Sequence, residues 1–147
     1  MTPTEAIEQL LQGMPLSRQQ ARTVMDQVMA GEATSVQIAG LLIALRARGE
    51  TVEEMTGFVE SMRAHATPLD LPPGSIDTCG TGGDRAGTFN ISTAAALVAA
   101  GAGIPLAKHG NRAASSRCGS ADVLEALGVD ITLDAAGVRR CIDVAGM

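Results

Sequence analysis

Apolar residues recur three and four positions apart through the first part of the chain, in four short runs separated by glycines and hydroxyl residues. Thr2 or Thr4 opens a run through Ile7, Leu10 and Leu11 that stops at Gly13. Ser17 with Gln20 forms the pattern of a capping box, in which two side chains satisfy backbone N–H groups at a helix start. It predicts a helix through Ala21, Val24, Met25 and Val28, ending at Gly31. Thr34 precedes the most hydrophobic run, from Ile38 to Leu45, which Gly49 bounds. Thr51 with Glu54 is a second capping box, starting a helix through Met55, Phe58, Val59 and Met62. Helices this short gain most of their stability by burying apolar stripes against one another. Residues 1–70 are therefore expected to form a helical N-terminal subdomain. It carries no evident chemistry, and His65 reads as a solvated residue near a helix C-terminus.

Residues 67–74 hold three prolines and a glycine, a stiff extended connection. Beyond it the pattern changes to alternating short apolar runs and alanine-rich helical stretches. Strands are expected over residues 76–79 and 104–107, and helices over 92–100, 120–127 and 134–144. A strand, a loop and a helix thus occur twice, the rhythm of a parallel sheet with covering helices. Residues 71–147 are accordingly expected to form an α/β domain with a partial parallel sheet. Two strands alone cannot make such a sheet stable, since both its faces need covering, so the domain reads as truncated.

Each predicted strand runs into a loop rich in glycine and hydroxyl groups, one over residues 77–84 and one over 108–116. Glycine admits positive φ and leaves no side chain between backbone amides and a ligand. Amides in such a turn, backed by a helix N-terminus, make a concave anion site. Two in tandem point to a bulky, highly charged phosphate ligand. No Gly-Lys-Ser/Thr follows, which excludes a Walker-type loop, and Arg85 stands where a dinucleotide fingerprint needs its third glycine.

Charge sharpens this picture. The net charge is −5, with five Arg against nine acids in residues 1–70 and six Lys/Arg against seven acids in residues 71–147. Arg85, Lys108, Arg112 and Arg117 gather at the loops. A mildly acidic chain with one local basic cluster suits a small anion better than nucleic acid. Phe58 and Phe89 are the only aromatic residues, so no stacking platform for bases is present. Cys79, Cys118 and Cys141 are odd in number and form no close pair, the usage expected of reduced cytosolic thiols. With no signal peptide and no apolar run of about 18 residues, a soluble cytoplasmic protein with no membrane partner is expected.

Taken together, the segments Cys79-Gly-Thr-Gly-Gly-Asp84, Thr88-Phe-Asn-Ile-Ser-Thr93 and Lys108-His-Gly-Asn-Arg-Ala-Ala-Ser-Ser116, followed by Gly119-Ser-Ala-Asp122, resemble those of the anthranilate phosphoribosyltransferase family. The resemblance runs from the helical part to Met147 and implies the nucleoside phosphorylase II type fold. It further implies a magnesium-dependent transfer, in tryptophan biosynthesis, of the 5-phosphoribosyl group of phosphoribosyl pyrophosphate to the amine of anthranilate. Gly80, Gly83 and Asp84 match positions contacting the donor. Thr88, Asn90, Ile91, Ser92 and Thr93 match the segment around its pyrophosphate, and Ser92 also matches a magnesium ligand. Lys108, His109, Gly110, Asn111, Arg112, Ala113, Ala114, Ser115 and Ser116, with Ser120, match the second donor-binding segment. Gly80 and Asn111 match positions that also touch anthranilate. No catalytic nucleophile is implied, and a homodimer is expected.

Family members are considerably longer, and the acidic pair that the resemblance makes the main magnesium ligands lies beyond Met147. Beside these implied roles, His109 reads as a positioning group, Arg112 and Arg117 as phosphate contacts or plain surface charges, and Asp84 as a ligand or a cap of its own turn. Asp122 and Glu125 read as residues of a solvated helix face. Two other readings stay open: a pyrimidine nucleoside phosphorylase of the same fold, which the Lys108-His-Gly-Asn-Arg112 segment disfavours, and a non-catalytic binding or dimerisation remnant.

Overall fold

The structure, a computed structural model, describes residues 1–80, 89–113 and 118–147. It divides into two compact units, Met1–Ala66 and Thr67–Met147.

In the first unit all four expected helices form: α1 (Pro3–Leu11), α2 (Arg18–Met29), α3 (Ser35–Arg48) and α4 (Val52–His65). Each begins with a capping box, at Thr2, Ser17, Thr34 and Thr51. Thr2 rather than Thr4 starts α1: its hydroxyl accepts the Glu5 N–H while the Glu5 carboxylate accepts the Thr2 N–H at 2.7 Å. Gly49 ends α3 at φ +90°, a conformation most side chains resist.

The helices pack in pairs, α2 along α4 and α1 along α3. Ala6, Leu10, Leu16, Ala21, Val24, Leu41, Ala44, Leu45 and Phe58 share one apolar core. Burying a Leu or Phe side chain stabilises by about 1.5–3 kcal/mol, so this cluster outweighs every surface contact in the unit. Small residues set the closest approach. A Cβ on Gly57 of α4 would run into the Arg18 carbonyl oxygen and lie 3.0 Å from Ala21 Cβ of α2.

Two polar side chains of α4, Glu54 and Ser61, are buried in this unit. Glu54 is fully buried. Its Oε1 accepts the Leu16 N–H at 2.8 Å, and its Oε2 accepts the Thr51 N–H and hydroxyl, each at 2.8 Å. The Arg48 guanidinium donates to both oxygens. Burial pushes the Glu54 carboxyl upward, but the bonds from Leu16, Thr51 and Arg48 outweigh it and hold the group below its ordinary value. The capping glutamate therefore also joins α4 to the loop before α2.

The second unit contains α5 (Ile91–Gly101), α6 (Ser120–Ala126) and α7 (Ala135–Ala145). The sheet expectation is met only in part: among the described residues, segments 76–79 and 104–107 meet in a single parallel bridge between Ile76 and Leu106 rather than in two strands. Ile76 N–H donates to the Pro105 carbonyl and accepts, through its own carbonyl, from Ala107 N–H, both at 3.0 Å. The Leu106 amide turns the other way, to the Gly146 carbonyl at 2.9 Å. Among the described residues no further strand lies alongside on which the ladder could extend. The bridge still puts the two expected strands parallel and side by side. Among the described residues, only Thr93, Ala96, Leu106 and Ile142 of this unit are buried.

Candidate functional site

The bridge sets the loops next to each other because each loop leaves its own side of the bridge. Asp77, one residue past Ile76, fixes them together. Its Oδ1 accepts the Cys79 N–H at 3.0 Å within the first loop and the His109 N–H at 3.3 Å in the second. The Thr78 hydroxyl donates to the Ser92 carbonyl at 2.8 Å, tying the first loop to the start of α5. Gly80 faces the same turn, with Ser92 Oγ 3.6 Å from where its Cβ would sit.

No side chain caps α5. Asn90, in the capping position, instead donates from Nδ2 to the Gly119 carbonyl at 3.1 Å, joining α5 to the far end of the second loop. The Thr93 hydroxyl in the first turn is buried and has no hydrogen-bond partner among the described residues. An uncapped helix start beside an unsatisfied hydroxyl is an arrangement that accepts an anion.

The second loop is bound closely to α6. The Asn111 carbonyl accepts the Ala121 N–H at 3.3 Å. Asp122 Oδ2 accepts the Ala113 N–H at 2.9 Å and the Gly119 N–H at 2.8 Å. Arg112 donates to Glu125 at 2.8 and 3.0 Å and to Asp122 at 3.3 Å. The amides of Ala113 and Gly119, with Arg112, hold the Asp122 carboxyl below its ordinary value. Glu125 is lowered by Arg112, and Arg112 is raised mainly by its bonds to Glu125. The expectation that these two acids only line a solvated helix face is thus incomplete; both grip the loop. Lys108 donates from Nζ to the His109 carbonyl at 3.1 Å and pairs with no carboxylate among the described residues. A lysine ammonium of this kind can meet a phosphate as a point charge.

The structure therefore brings together Gly80, Asn90, Ile91, Ser92 and Thr93 with Lys108, His109, Gly110, Asn111, Arg112, Ala113 and Ser120 around two linked loops. Gly83, Asp84, Thr88, Ala114, Ser115 and Ser116, and with them Arg85 and Arg117, lie outside the described residues. Sequence reasoning missed Asp77 and the loop-holding role of Asp122. Their signal was weak, a carboxylate just before each glycine-rich turn or just after it.

Among the described residues no group of three or more His, Cys, Asp or Glu could hold a metal ion. Among the described residues, the donors near the loops include the hydroxyls of Thr78, Ser92, Thr93 and Ser120, beside backbone amides and Lys108. Hydroxyls and amides of this kind suit a cation that arrives with a polyphosphate and keeps its waters.

Residues 73–147 match the model of a family described as glycosyl transferase family, a/b domain, and residues 4–66 match its helical bundle domain. The anthranilate phosphoribosyltransferase of Pelotomaculum thermopropionicum is 57% identical over 143 residues, covering 97% of this chain and 41% of that protein. The enzyme of the same name from Herpetosiphon aurantiacus is 60% identical over 132 residues, 90% of this chain and 39% of its own length. The crystal structure of anthranilate phosphoribosyltransferase from Thermus thermophilus matches with a TM-score of 0.76 at 46% identity, covering 92% of this chain and 43% of that one. The chain spans about two fifths of the length of the curated relatives it matches.

Proposed function

The chain belongs to the glycosyl transferase family built of a helical bundle and an a/b domain, and from that premise we propose that it takes part in anthranilate phosphoribosyl transfer. In this reading the 5-phosphoribosyl group of phosphoribosyl pyrophosphate passes to the amine of anthranilate, a step of tryptophan biosynthesis. The C1–oxygen bond to pyrophosphate breaks, the C1–nitrogen bond forms, and the amine loses a proton. The ribosyl centre becomes cation-like as pyrophosphate leaves, so the chemistry needs no protein nucleophile. It needs charge stabilisation for the leaving group.

The observation that carries the reading is the uncapped start of α5, with its buried Thr93 hydroxyl that has no partner among the described residues, tied through Thr78 and Asn90 to both glycine-rich loops. Gly80, Gly83, Asp84, Thr88, Asn90, Ile91, Ser92 and Thr93 form the first donor segment. Lys108 to Ser116, with Ser120, form the second. Amides of these segments and the Lys108 ammonium meet the pyrophosphate oxygens. Gly80 and Asn111 border the anthranilate position. Ser92 would hold magnesium, which when bound neutralises pyrophosphate charge as a Lewis acid.

Assembly and location follow the same reading. Val52, Met55, Val59 and Met62 form an exposed apolar row along α4, which supports a homodimer through the helical unit. Among the described residues no helix is long and apolar enough to cross a membrane, and Cys79 and Cys141 are free thiols. The free thiols support a reducing, cytoplasmic setting for this reading.

The test is a thermal melt followed by circular dichroism with and without magnesium phosphoribosyl pyrophosphate. At a donor concentration about a hundred times the dissociation constant, binding adds about 2.7 kcal/mol to stability and raises the melting temperature. A melt that ignores the donor, and ignores it again in the presence of anthranilate, rejects the reading.

A further inference from the structure

We propose that Asp122 is a positioning residue for the second glycine-rich loop, holding residues 108–113 against the start of α6 in one fixed conformation. The inference rests on the reading of that loop as a donor-binding segment. A carboxylate beside a pyrophosphate site would repel the ligand if its charge were free. Here the charge is engaged. Oδ2 accepts amides from both flanks of the loop, Ala113 at 2.9 Å and Gly119 at 2.8 Å, while Oδ1 faces the Arg112 guanidinium at 3.3 Å.

Two further features leave the loop a single register. The Asn111 carbonyl accepts the Ala121 N–H at 3.3 Å. A Cβ on Gly110 would lie 2.8 Å from Ser120 Cβ, and one on Gly119 would lie 2.5 Å from the Ala113 nitrogen, so both glycines are in close contact with their neighbours. Arg112 completes the clasp by its two bonds to Glu125. An anion site made of backbone amides works only if those amides already point at the ligand, because reorganising them on binding costs affinity. Asp122 contributes by fixing that geometry and touches no substrate.

Isothermal titration with magnesium phosphoribosyl pyrophosphate and amide hydrogen exchange by nuclear magnetic resonance, on the same variants of the whole chain, test this. Asp122→Ala removes both links; its dissociation constant is expected to rise at least about tenfold, as misplacement of a binding group predicts, with faster exchange at Ala113. Asp122→Asn keeps a carbonyl oxygen for the two amides but turns an NH2 toward Arg112. It is expected to weaken binding about threefold, because a neutral acceptor is roughly half as strong as a charged one. Wild-type binding alongside unchanged affinity or unchanged Ala113 exchange in Asp122→Ala overturns the proposal alone. If Asp122→Ala fails to fold, unchanged affinity and exchange in Asp122→Asn overturn it instead. A wild-type chain that ignores the donor removes the reading of the site, and the proposal with it.

Discussion

The two units of this chain are built on opposite principles. Met1–Ala66 closes an apolar core beneath four helices, each started by its own capping box. In Thr67–Met147 the described residues bury little beyond Ala96, Leu106 and Ile142, and Phe89, Val98, Leu127 and Val144 stay exposed. What order the second unit has at its candidate site comes from polar links to backbone: Asp77 to His109, Asn90 to Gly119, Asp122 to Ala113 and Gly119. Burial rewards a unit with stability, whereas backbone amides held by carboxylates reward it with geometry. The first unit carries the buried apolar core, and in the proposed reading the second carries the ligand chemistry.

The largest effect that would break this contrast lies inside the first unit. Glu54→Ala leaves the Arg48 guanidinium and the Leu16 amide without their acceptor. Removing one partner of a buried ion pair costs about 3–5 kcal/mol, enough to lower the melt of the helical unit by tens of degrees or abolish it. The pH dependence has a definite sign. Glu54 ordinarily titrates near 4.5 and is depressed in the folded chain. Its contribution is therefore fully present above about pH 4.5 and is lost as the pH falls through the lower folded value. A Glu54→Ala chain that melts like the wild type at neutral pH would show that the apolar core alone holds the helices.

Gly57→Ala comes next. The new methyl group meets the Arg18 carbonyl and pushes α2 away from α4. Overpacking of this kind costs about 1–3 kcal/mol, read as a lower melting temperature with donor affinity unchanged. Donor affinity falling with it would mean that the two units do not act independently.

The same substitution in the second unit should invert the readout. Gly119→Ala would set a Cβ 2.6 Å from the Arg112 carbonyl carbon, within the clasp itself. The loop must shift, so the expected result is donor binding weakened by about tenfold or more while the melt of the helical unit stays in place. Binding at wild-type strength would show that the loop does not depend on this register.

These contrasts also explain what was legible in the sequence. Capping boxes act over three residues and apolar stripes over one or two turns, so all four helices of the first unit could be read directly, down to Ser17 with Gln20. The glycine-rich loops were legible for the same local reason. Glu54 was readable as a cap but not as the acceptor of Leu16, which lies 38 positions away. Asp122 read as a surface acid because the Ala113 amide that it accepts lies nine residues back, across a loop whose course periodicity does not encode. The expected strands are short apolar runs, and whether such a run extends into a sheet depends on neighbours that no local pattern specifies.

The smallest contrast is between two helix starts. Ser17→Ala removes the oxygen that accepts the Gln20 N–H at 3.3 Å, while the backbone N–H of residue 17 still donates to the Gln20 side-chain oxygen. Loss of such a cap costs about 1 kcal/mol, a shift of a few degrees in the melt of the first unit. Asn90→Ala removes no cap, because the Asn90 side chain donates to Gly119 and not to the amides of α5. Helix stability should therefore change less than in Ser17→Ala, while donor binding weakens because the link between α5 and the second loop is gone. The reverse pattern, a destabilised α5 with intact affinity, would mean that Asn90 serves its helix like the caps of the first unit. The difference in construction between the two units would then not extend to their helix starts.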